Sequence, residues 1–183
     1  MSVLVIVDMV NDFLKPGGAL YCGDDSRRII GPLVNLAEQF YLRGDPVIFV
    51  NDLHQDNDPE FKLFGPHCLP NTEGAERIEE FDFLDSQPDL LIDGIEFPKT
   101  ICKFSYSAWH GTTLHTLLKY RLGECEVWLA GVCTGICILF TSFDMVRAGY
   151  EVKVPRYCVA DFDPDRHEMA LDIMNSILGV PIL

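Results

Sequence analysis

A strand-to-helix junction with two cysteines is the most reactive feature of the sequence: it reads Gly131-Val132-Cys133-Thr134-Gly135-Ile136-Cys137. Thr134 is a predicted N-cap, which puts Cys137 in the first helical turn, where backbone N–H groups and the helix dipole stabilise a thiolate. The same amides could hold a developing oxyanion. Cys133 precedes the cap and is expected to line the turn, and the C-x3-C spacing is unlike a redox C-x-x-C. The pattern indicates a nucleophilic Cys137, with a structural cysteine as the alternative.

A second group of reactive side chains follows an apolar run at residues 46–50. Asp52 and His54 alternate in an extended segment, so both side chains point the same way. Glu60 and His67 lie on the loop that follows and could return to the same place. Imidazoles combined with carboxylates suit a divalent ion such as zinc, manganese or iron. The group therefore predicts a metal site, with solvated polar groups of a loop as the alternative.

A lysine opens an aromatic-rich stretch that reads Lys103-Phe104-Ser105-Tyr106-Ser107-Ala108-Trp109. A lysine among apolar side chains can lose its hydration, which shifts its pKa and suits it to catalysis. The alternative for Lys103, as for Lys99, is a surface lysine whose stem covers apolar groups while its ammonium stays in water.

The elements that must position these groups alternate between short apolar strands and amphipathic helices. The predicted strands cover residues 3–7, 46–50, 90–92, 126–130 and 151–154, with 180–183 as a candidate edge strand. The predicted helices cover residues 26–42, 112–122, 134–148 and 164–178. This alternation predicts the α/β class: a doubly wound, mostly parallel, six-stranded sheet with helices on both faces.

Reactive residues directly follow several of these strands: Asp8 after the first, Asp52 and His54 after the second, and the cysteine pair after the fourth. In parallel sheets, ligands bind beyond the carboxyl ends of the strands, near the point where strand order reverses. The groups are therefore expected to meet at one edge. At 183 residues the chain suits a single domain, 1–183, with a metal-binding insertion loop at about 51–89.

Charge and composition exclude several classes of partner. Acidic residues outnumber basic ones 28 to 14, and the resulting net charge of −14 repels nucleic acid and anionic lipid. No apolar run approaches the roughly 20 residues that span a bilayer. The apolar start is brief and lacks a basic flank, unlike a signal peptide. We therefore expect neither nucleic acid nor membrane as a partner, and reduced thiols in a cytoplasmic protein.

With these motifs in order, the chain resembles the isochorismatase-like cysteine hydrolases and, within them, the nicotinamidases. The resemblance covers nearly the whole length, from Val5-Ile6-Val7-Asp8 to Gly149-Tyr150. Its most specific parts are the stretches 60–67 (EFKLFGPH), 103–109 with Gly111-Thr112, and 131–139 (GVCTGICIL). Each motif alone is a weak signal, and their order along one chain is a strong one.

The resemblance implies a catalytic set formed by Asp8, Lys103 and Cys137. It also implies an oxyanion hole made by the backbone N–H groups of Cys133 and Cys137, and a cis peptide before Cys133. One position departs from the family pattern, because residue 135 is usually aspartate or asparagine and is Gly135 here. A side chain that helps the helix to start is lost, but no catalytic group is.

The resemblance further implies one divalent metal ion and aromatic contacts to the substrate. The matching metal ligands are Asp52, His54, Glu60 and His67, with zinc as the first choice and manganese or iron as alternatives. Phe13 and Phe64 match positions on either side of a pyridine ring, and Tyr106 is assigned to the same substrate pocket. Relatives commonly form homo-oligomers, and the same is expected here.

The predicted reaction is metal-assisted hydrolysis of nicotinamide to nicotinate and ammonia through a cysteine thioester. A small amide is therefore the expected partner of the protein. Two alternatives stay open. One is a related cysteine amidohydrolase that acts on another small amide, such as a carbamoyl or maleamate-type compound. The other is a non-catalytic, flavodoxin-like binding domain, which would need no aspartate–lysine–cysteine set.

Overall fold

A six-stranded parallel sheet organises the protein in a computed structural model that describes residues 2–86, 90–92, 95–97, 99–122 and 125–183. The strands of the chain are β1 (Ser2–Val7), β2 (Val47–Asp52), β3 (Leu90–Ile92), β4 (Ile95–Phe97), β5 (Thr100–Lys103), β6 (Glu126–Val132), β7 (Glu151–Lys153) and β8 (Val159–Ala160). The sheet has the order β5-β2-β1-β6-β7, and β8 pairs with the carboxyl end of β6. Strand order therefore reverses between β1 and β6, where α/β sheets bind ligands.

Strand β1 is central because its side chains are apolar on both faces. Leu4 and Ile6 pack in one apolar core and Val3, Val5 and Val7 in the other. This burial on both sides explains the continuous apolar run, in contrast to the alternating pattern of a half-exposed strand.

Helices cover both faces of the sheet, as predicted. They are α1 (Asn11–Leu14), α2 (Asp24–Arg27), α3 (Ile30–Leu42), α4 (Phe61–Phe64), α5 (Leu114–Leu117), α6 (Leu139–Arg147) and α7 (Pro164–Asp172). A π-helical turn extends α5 at Leu118–Leu122, another extends α7 at Ile173–Ile177, and a third precedes α6 at Thr134–Ile138. Short 3-10 helices lie at Glu73–Ala75, Glu79–Leu84 and Arg156–Cys158. Among the described residues, none of the helices combines the length and apolar character needed to cross a membrane.

Each face of the sheet has its own set of helices. On one face, Leu33 and Phe40 of α3 pack in the same apolar core as Leu4 of β1. On the other face, α5, α6 and α7 contribute Leu114, Met145 and Leu171 to the core that contains Val5. The predicted doubly wound fold is therefore confirmed.

The predicted strand at residues 90–92 is present, but it does not belong to the six-stranded sheet. Residues 90–92 are extended, but they pair antiparallel with β4 in a separate two-stranded sheet. The edge position beside β2 belongs to β5, in which Lys103 pairs with Asp52. Short apolar runs do not specify their partner strand, because pairing depends on contacts made far along the chain.

The sixth strand also differs from the prediction for the C-terminal residues. Residues 180–183 make only an isolated parallel bridge, between Val154 and Ile182, whereas β8 completes the sheet. Strand β8 pairs through two residues, Val159 and Ala160. Such a short strand carries too little alternation to be recognised in the sequence.

Gly131 brings β6 close to β1 just before the cysteine turn. It pairs with Val7, and its φ of 116° is unfavourable for residues with a side chain. A Cβ at this position would overlap the carbonyl oxygen of Val7. The close approach of these two strand ends therefore depends on glycine.

We expect Gly131→Ala to lower the free energy of unfolding by about 3 kcal/mol, because the positive φ and the overlap with Val7 both oppose an alanine. Gly44→Ala is the matched control, since Gly44 has a φ of 74° and a Cβ there would meet no described atom within 4 Å. This control should lose about 1 kcal/mol. Urea unfolding measures both values, and equal losses would contradict a role for the contact with Val7.

Candidate active site

Three chain segments deliver the predicted catalytic residues to the carboxyl edge of the sheet. Asp8 follows β1, Lys103 ends β5, and Cys137 lies in the π-helical turn after β6. Asp8 has a φ of 58°, a left-handed conformation that residues other than glycine adopt rarely and that clusters at functional sites. All three side chains are buried. Side chains from positions 8, 103 and 137 therefore lie in one buried cluster.

The ammonium of Lys103 is the centre of this cluster. Its Nζ donates hydrogen bonds to Asp52 Oδ1 at 2.6 Å, to the Ser105 carbonyl oxygen at 3.1 Å and to Cys137 Sγ at 3.4 Å. These bonds use the three N–H groups of the ammonium. Asp8 Oδ2 lies 2.9 Å from Nζ as an ion pair, but it has no hydrogen-bond partner among the described residues. The Asp8 carboxyl also lies within hydrogen-bonding reach of the Cys137 thiol, so it can accept the proton of that thiol.

Burial and charge set the protonation states in the cluster. Burial and the Asp52 charge raise the pKa of Asp8 to about 7. Burial raises the pKa of the Cys137 thiol, although the Lys103 charge opposes this. Burial disfavours the charged form of Lys103, but Asp52 and Asp8 outweigh it and hold the lysine pKa above its ordinary value. The resting site thus holds a neutral thiol, an ammonium and a carboxylate able to exchange a proton near neutral pH.

The backbone of the cysteine turn differs in one respect from the prediction. The residue in the N-cap position is Cys133, and Thr134 instead forms a 2.9 Å hydrogen bond between its hydroxyl and His167 Nδ1. The Cys133 carbonyl oxygen accepts the N–H groups of Ile136 and Ile138, at 3.1 and 3.2 Å. The peptide between Val132 and Cys133 is cis, as the resemblance implied.

The predicted metal ligands lie beside the cluster. Asp52, His54 and His67 each offer a ligand atom, and these atoms lie within 4.8 Å of one another. The fourth predicted ligand is close to them, because Glu60 Oε1 is 3.9 Å from His67 Nε2. Carboxylate oxygens and imidazole nitrogens together suit zinc and related divalent ions.

The orientation of the two imidazoles supports a metal site. The Nδ1 atom of His54 lies 3.0 Å from Asp58 Oδ2, and the Nδ1 atom of His67 lies 2.8 Å from the Gly65 carbonyl oxygen. These acceptors assign one ring proton to each Nδ1, so each Nε2 faces the site and becomes a lone-pair donor when it is deprotonated. His54 Nε2 is buried without a hydrogen-bond partner among the described residues. The residues present therefore fit a divalent cation.

Asp58 is a residue that the sequence analysis missed. Its Oδ2 orients His54, and its Oδ1 accepts the N–H of Glu60 at 2.8 Å, so it touches two of the predicted ligands. Burial lowers the pKa of His54, but the neighbouring carboxylates of Asp52 and Asp58 outweigh burial and raise it to about 9, so a metal ion would displace a proton from Nε2. The position of Asp58 four residues after His54 was the available signal.

The predicted aromatic residues line one cavity with the catalytic cluster. The cavity has a volume of about 440 Å³ and is lined by Phe13, Phe64 and Tyr106 together with Asp8, Cys137 and His67. The Phe64 and Tyr106 rings meet edge to face, with centroids 6.4 Å apart. Tyr21, Leu63 and Phe162 also line this cavity and were missed. A flat ring fits between such apolar side chains.

Comparisons with known proteins agree on one family. The family model of the isochorismatase domain matches residues 2–183. The uncharacterized isochorismatase family protein PncA of Bacillus subtilis is 34% identical over 185 residues, which cover 99% of this chain and 98% of that protein. The crystal structure of nicotinamidase PncA from Bacillus subtilis has a TM-score of 0.88 at 33% identity, over 99% of this chain and 98% of that one.

Two further solved structures are similar over the full length. Pyrazinamidase of Pyrococcus horikoshii in complex with zinc has a TM-score of 0.83 at 29% identity, covering 100% of this chain and 98% of that one. N-carbamoylsarcosine amidase from Thermoplasma acidophilum has a TM-score of 0.81 at 30% identity, covering 100% and 95%. The fold and these relatives define the protein as an amidohydrolase. More particularly, the chain belongs to the isochorismatase family.

We expect Asp58→Ala to weaken zinc binding about 10- to 100-fold, because His54 loses the acceptor that holds its ring and tautomer. Asp56→Ala is the matched control: it removes the same charge from the same loop, and Asp56 is exposed. Competition titration of the metal-depleted proteins against a chromophoric chelator measures both affinities. Similar losses in the two variants would indicate a general charge effect and contradict the orienting role.

Proposed function

We propose that the protein hydrolyses nicotinamide to nicotinate and ammonia with Cys137 as the nucleophile. The observation that carries the proposal is the Lys103 ammonium, which contacts Asp8, Asp52 and Cys137 at 2.9, 2.6 and 3.4 Å. It joins a proton acceptor, a metal-ligand candidate and a thiol in one buried cluster. A binding domain has no need for such a set, which disfavours the non-catalytic alternative.

The first half of the reaction uses Asp8 as the general base. Asp8 Oδ2 takes the proton of the Cys137 thiol, and Lys103 stabilises the resulting thiolate. The sulfur attacks the carboxamide carbon, and the backbone N–H groups of Cys133 and Cys137 hold the oxygen that becomes negative. Asp8 then donates its proton to the amide nitrogen. Ammonia leaves as the carbon–nitrogen bond breaks, and a thioester to Cys137 remains.

The second half returns the enzyme to its starting state. Asp8, again a carboxylate, takes a proton from a water molecule that attacks the thioester carbon. The carbon–sulfur bond breaks, the proton returns to Cys137, and nicotinate is released. Since burial and Asp52 bring the pKa of Asp8 to about 7, the same group can act as base and acid in turn.

The ring of the substrate would lie between Phe13 and Phe64, with Tyr106 at the side of the cavity. Asp52, His54, Glu60 and His67 would hold one divalent ion, for which we propose zinc. When bound, such an ion supplies a Lewis acid to which the pyridine nitrogen can bind. The aromatic walls orient the ring so that its carboxamide faces Cys137.

A second candidate substrate class is supported by the similarity to N-carbamoylsarcosine amidase. The name of that enzyme indicates a small substrate with a terminal carbamoyl group, whose carbonyl carbon a cysteine could attack in the same way. The aromatic lining of the cavity favours a flat ring, because Phe13, Phe64, Tyr106 and Phe162 supply ring surfaces on which it can pack.

Single-domain organisation, a homo-oligomeric state and a cytoplasmic location stay predictions of the sequence. The exposed Phe140 and Phe143 side chains on α6 are candidates for a contact between copies.

We expect purified, zinc-loaded protein to release ammonia from nicotinamide and to release it much more slowly from N-carbamoylsarcosine. The reason is that an acyclic substrate gains little from the aromatic walls. Coupled ammonia detection over a range of both substrates gives the two kcat/KM values. A higher kcat/KM for the carbamoyl compound would reject nicotinamide as the preferred substrate.

Cys137→Ala should reduce ammonia release by at least about 1,000-fold, because no thioester can form. Cys133→Ala is the matched control, since it removes a second buried thiol of the same turn but keeps the backbone N–H. It should cost about tenfold or less. Steady-state rates of both variants provide the test, and abolition of activity by Cys133→Ala alone would overturn the assignment of the nucleophile.

A further inference from the structure

The turn that carries Cys137 is held by a carboxylate from another part of the chain. Asp161 follows β8 and is buried, and its Oδ2 accepts a 2.8 Å hydrogen bond from the N–H of Gly135. The residue in the N-cap position, Cys133, makes no side-chain capping bond. Asp161 therefore acts as an N-cap supplied from a distance, and its charge interacts favourably with the positive end of the helix.

Arg166 fixes the position of this carboxylate. Its Nε donates to Asp161 Oδ1 at 3.1 Å, its Nη2 donates to the same oxygen, and the N–H of Asp163 adds a 3.1 Å bond. The guanidinium also lies over the ring of Phe162, 4.1 Å from the centroid, and this ring lines the substrate cavity. A buried carboxylate with four donors has one favoured orientation.

The absence of a side chain at Gly135 makes room for this arrangement. A Cβ at position 135 would overlap Arg166 Cγ and lie 2.8 Å from Arg166 Cδ. The arginine stem thus crosses the turn where a side chain would otherwise stand. The family pattern has aspartate or asparagine at position 135. In this protein the carboxylate at the turn is instead that of Asp161, which follows β8.

The contact point is close to both proposed reacting groups. Gly135 is two residues from Cys133, whose N–H is a proposed oxyanion donor, and two residues from Cys137. The Thr134 hydroxyl is also tied to this region, through its 2.9 Å contact with His167 of α7. A shift of the turn would therefore move the sulfur relative to Asp8 and Lys103.

We propose that Asp161 is a positioning residue for the reaction proposed above, on which this inference rests. Its carboxylate, held by Arg166, keeps the turn 133–137 in the position that brings the Cys137 sulfur to Asp8 and Lys103. Asp161 is not among the residues that line the substrate cavity. Its contribution is expected in kcat, because sub-ångström placement of the nucleophile affects the chemical step more than substrate binding.

Asp161→Ala should lower kcat about 100-fold with KM within about twofold of the parent value. Asp161→Asn keeps an acceptor for the Gly135 N–H, so its kcat should be about tenfold higher than that of Asp161→Ala. Asp165→Asn is the matched control, because Asp165 is an exposed carboxylate in the first turn of α7, the helix that carries Arg166, and this variant should leave kcat unchanged. Unchanged kcat in Asp161→Ala, or no recovery in the asparagine variant, would overturn the proposal.

A double-mutant cycle tests the contact even if Asp161→Ala does not fold. Gly135→Ala should lower kcat about tenfold in the parent protein, because its Cβ displaces Arg166. In an Arg166→Ala background the same substitution should have no further effect, since the overlapping atoms are gone. Losses that simply multiply in the double variant would show that Arg166 and Gly135 act independently and would reject the arrangement.

The alkylation rate of Cys137 separates this inference from the proposed substrate. Iodoacetamide reacts with the thiol without any amide substrate, and peptide mass spectrometry identifies the modified cysteine. The rate at Cys137 should fall in Asp161→Ala by a factor similar to that in kcat, and remain unchanged in Asp165→Asn. If the parent protein releases no ammonia from nicotinamide, the proposed function fails, while the alkylation ratio still decides the role of Asp161.

Discussion

The buried ammonium of Lys103 is the interaction on which the site depends. Removing an ammonium from water costs several kcal/mol, and a protein tolerates this only with charged and hydrogen-bonding partners in good geometry. Asp8, Asp52 and the Ser105 carbonyl oxygen provide them here. Both carboxylates are buried as well, so the lysine charge stabilises them just as they stabilise the lysine. The ends of β1, β2 and β5 must therefore meet for any of these charges to be stable.

Asp52 couples the catalytic cluster to the metal-ligand set. Its Oδ1 accepts a hydrogen bond from Lys103 and lies 3.6 Å from His54 Nε2. Its charge also raises the pKa of Asp8, after the larger effect of burial. A cation bound by Asp52 would offset the negative charge of that carboxylate and so lower the pKa of Asp8. Asp52 therefore links metal binding to the proton affinity of the general base.

The cysteine turn illustrates how much of a nucleophile's placement comes from outside its own segment. Gly131 lets β6 approach β1, and its φ of 116° allows the chain to enter the turn. Asp161 then binds the Gly135 N–H from the far side. The helix dipole at Cys137 is a local property, but the location of the sulfur in the molecule depends on these tertiary contacts.

The sequence by itself determined the local features. The apolar run 3–7 indicated a strand buried on both faces. The residue types that follow the strands identified Asp8, Asp52, His54 and Cys137 as candidates, because strand ends and helix starts are short-range properties. The tertiary structure alone decided that β5 rather than β3 borders β2. It also decided that Asp58 orients His54 and that Asp161 caps the turn. Sheet neighbours and hydrogen-bond partners depend on which distant segments meet, and local patterns carry no signal for that.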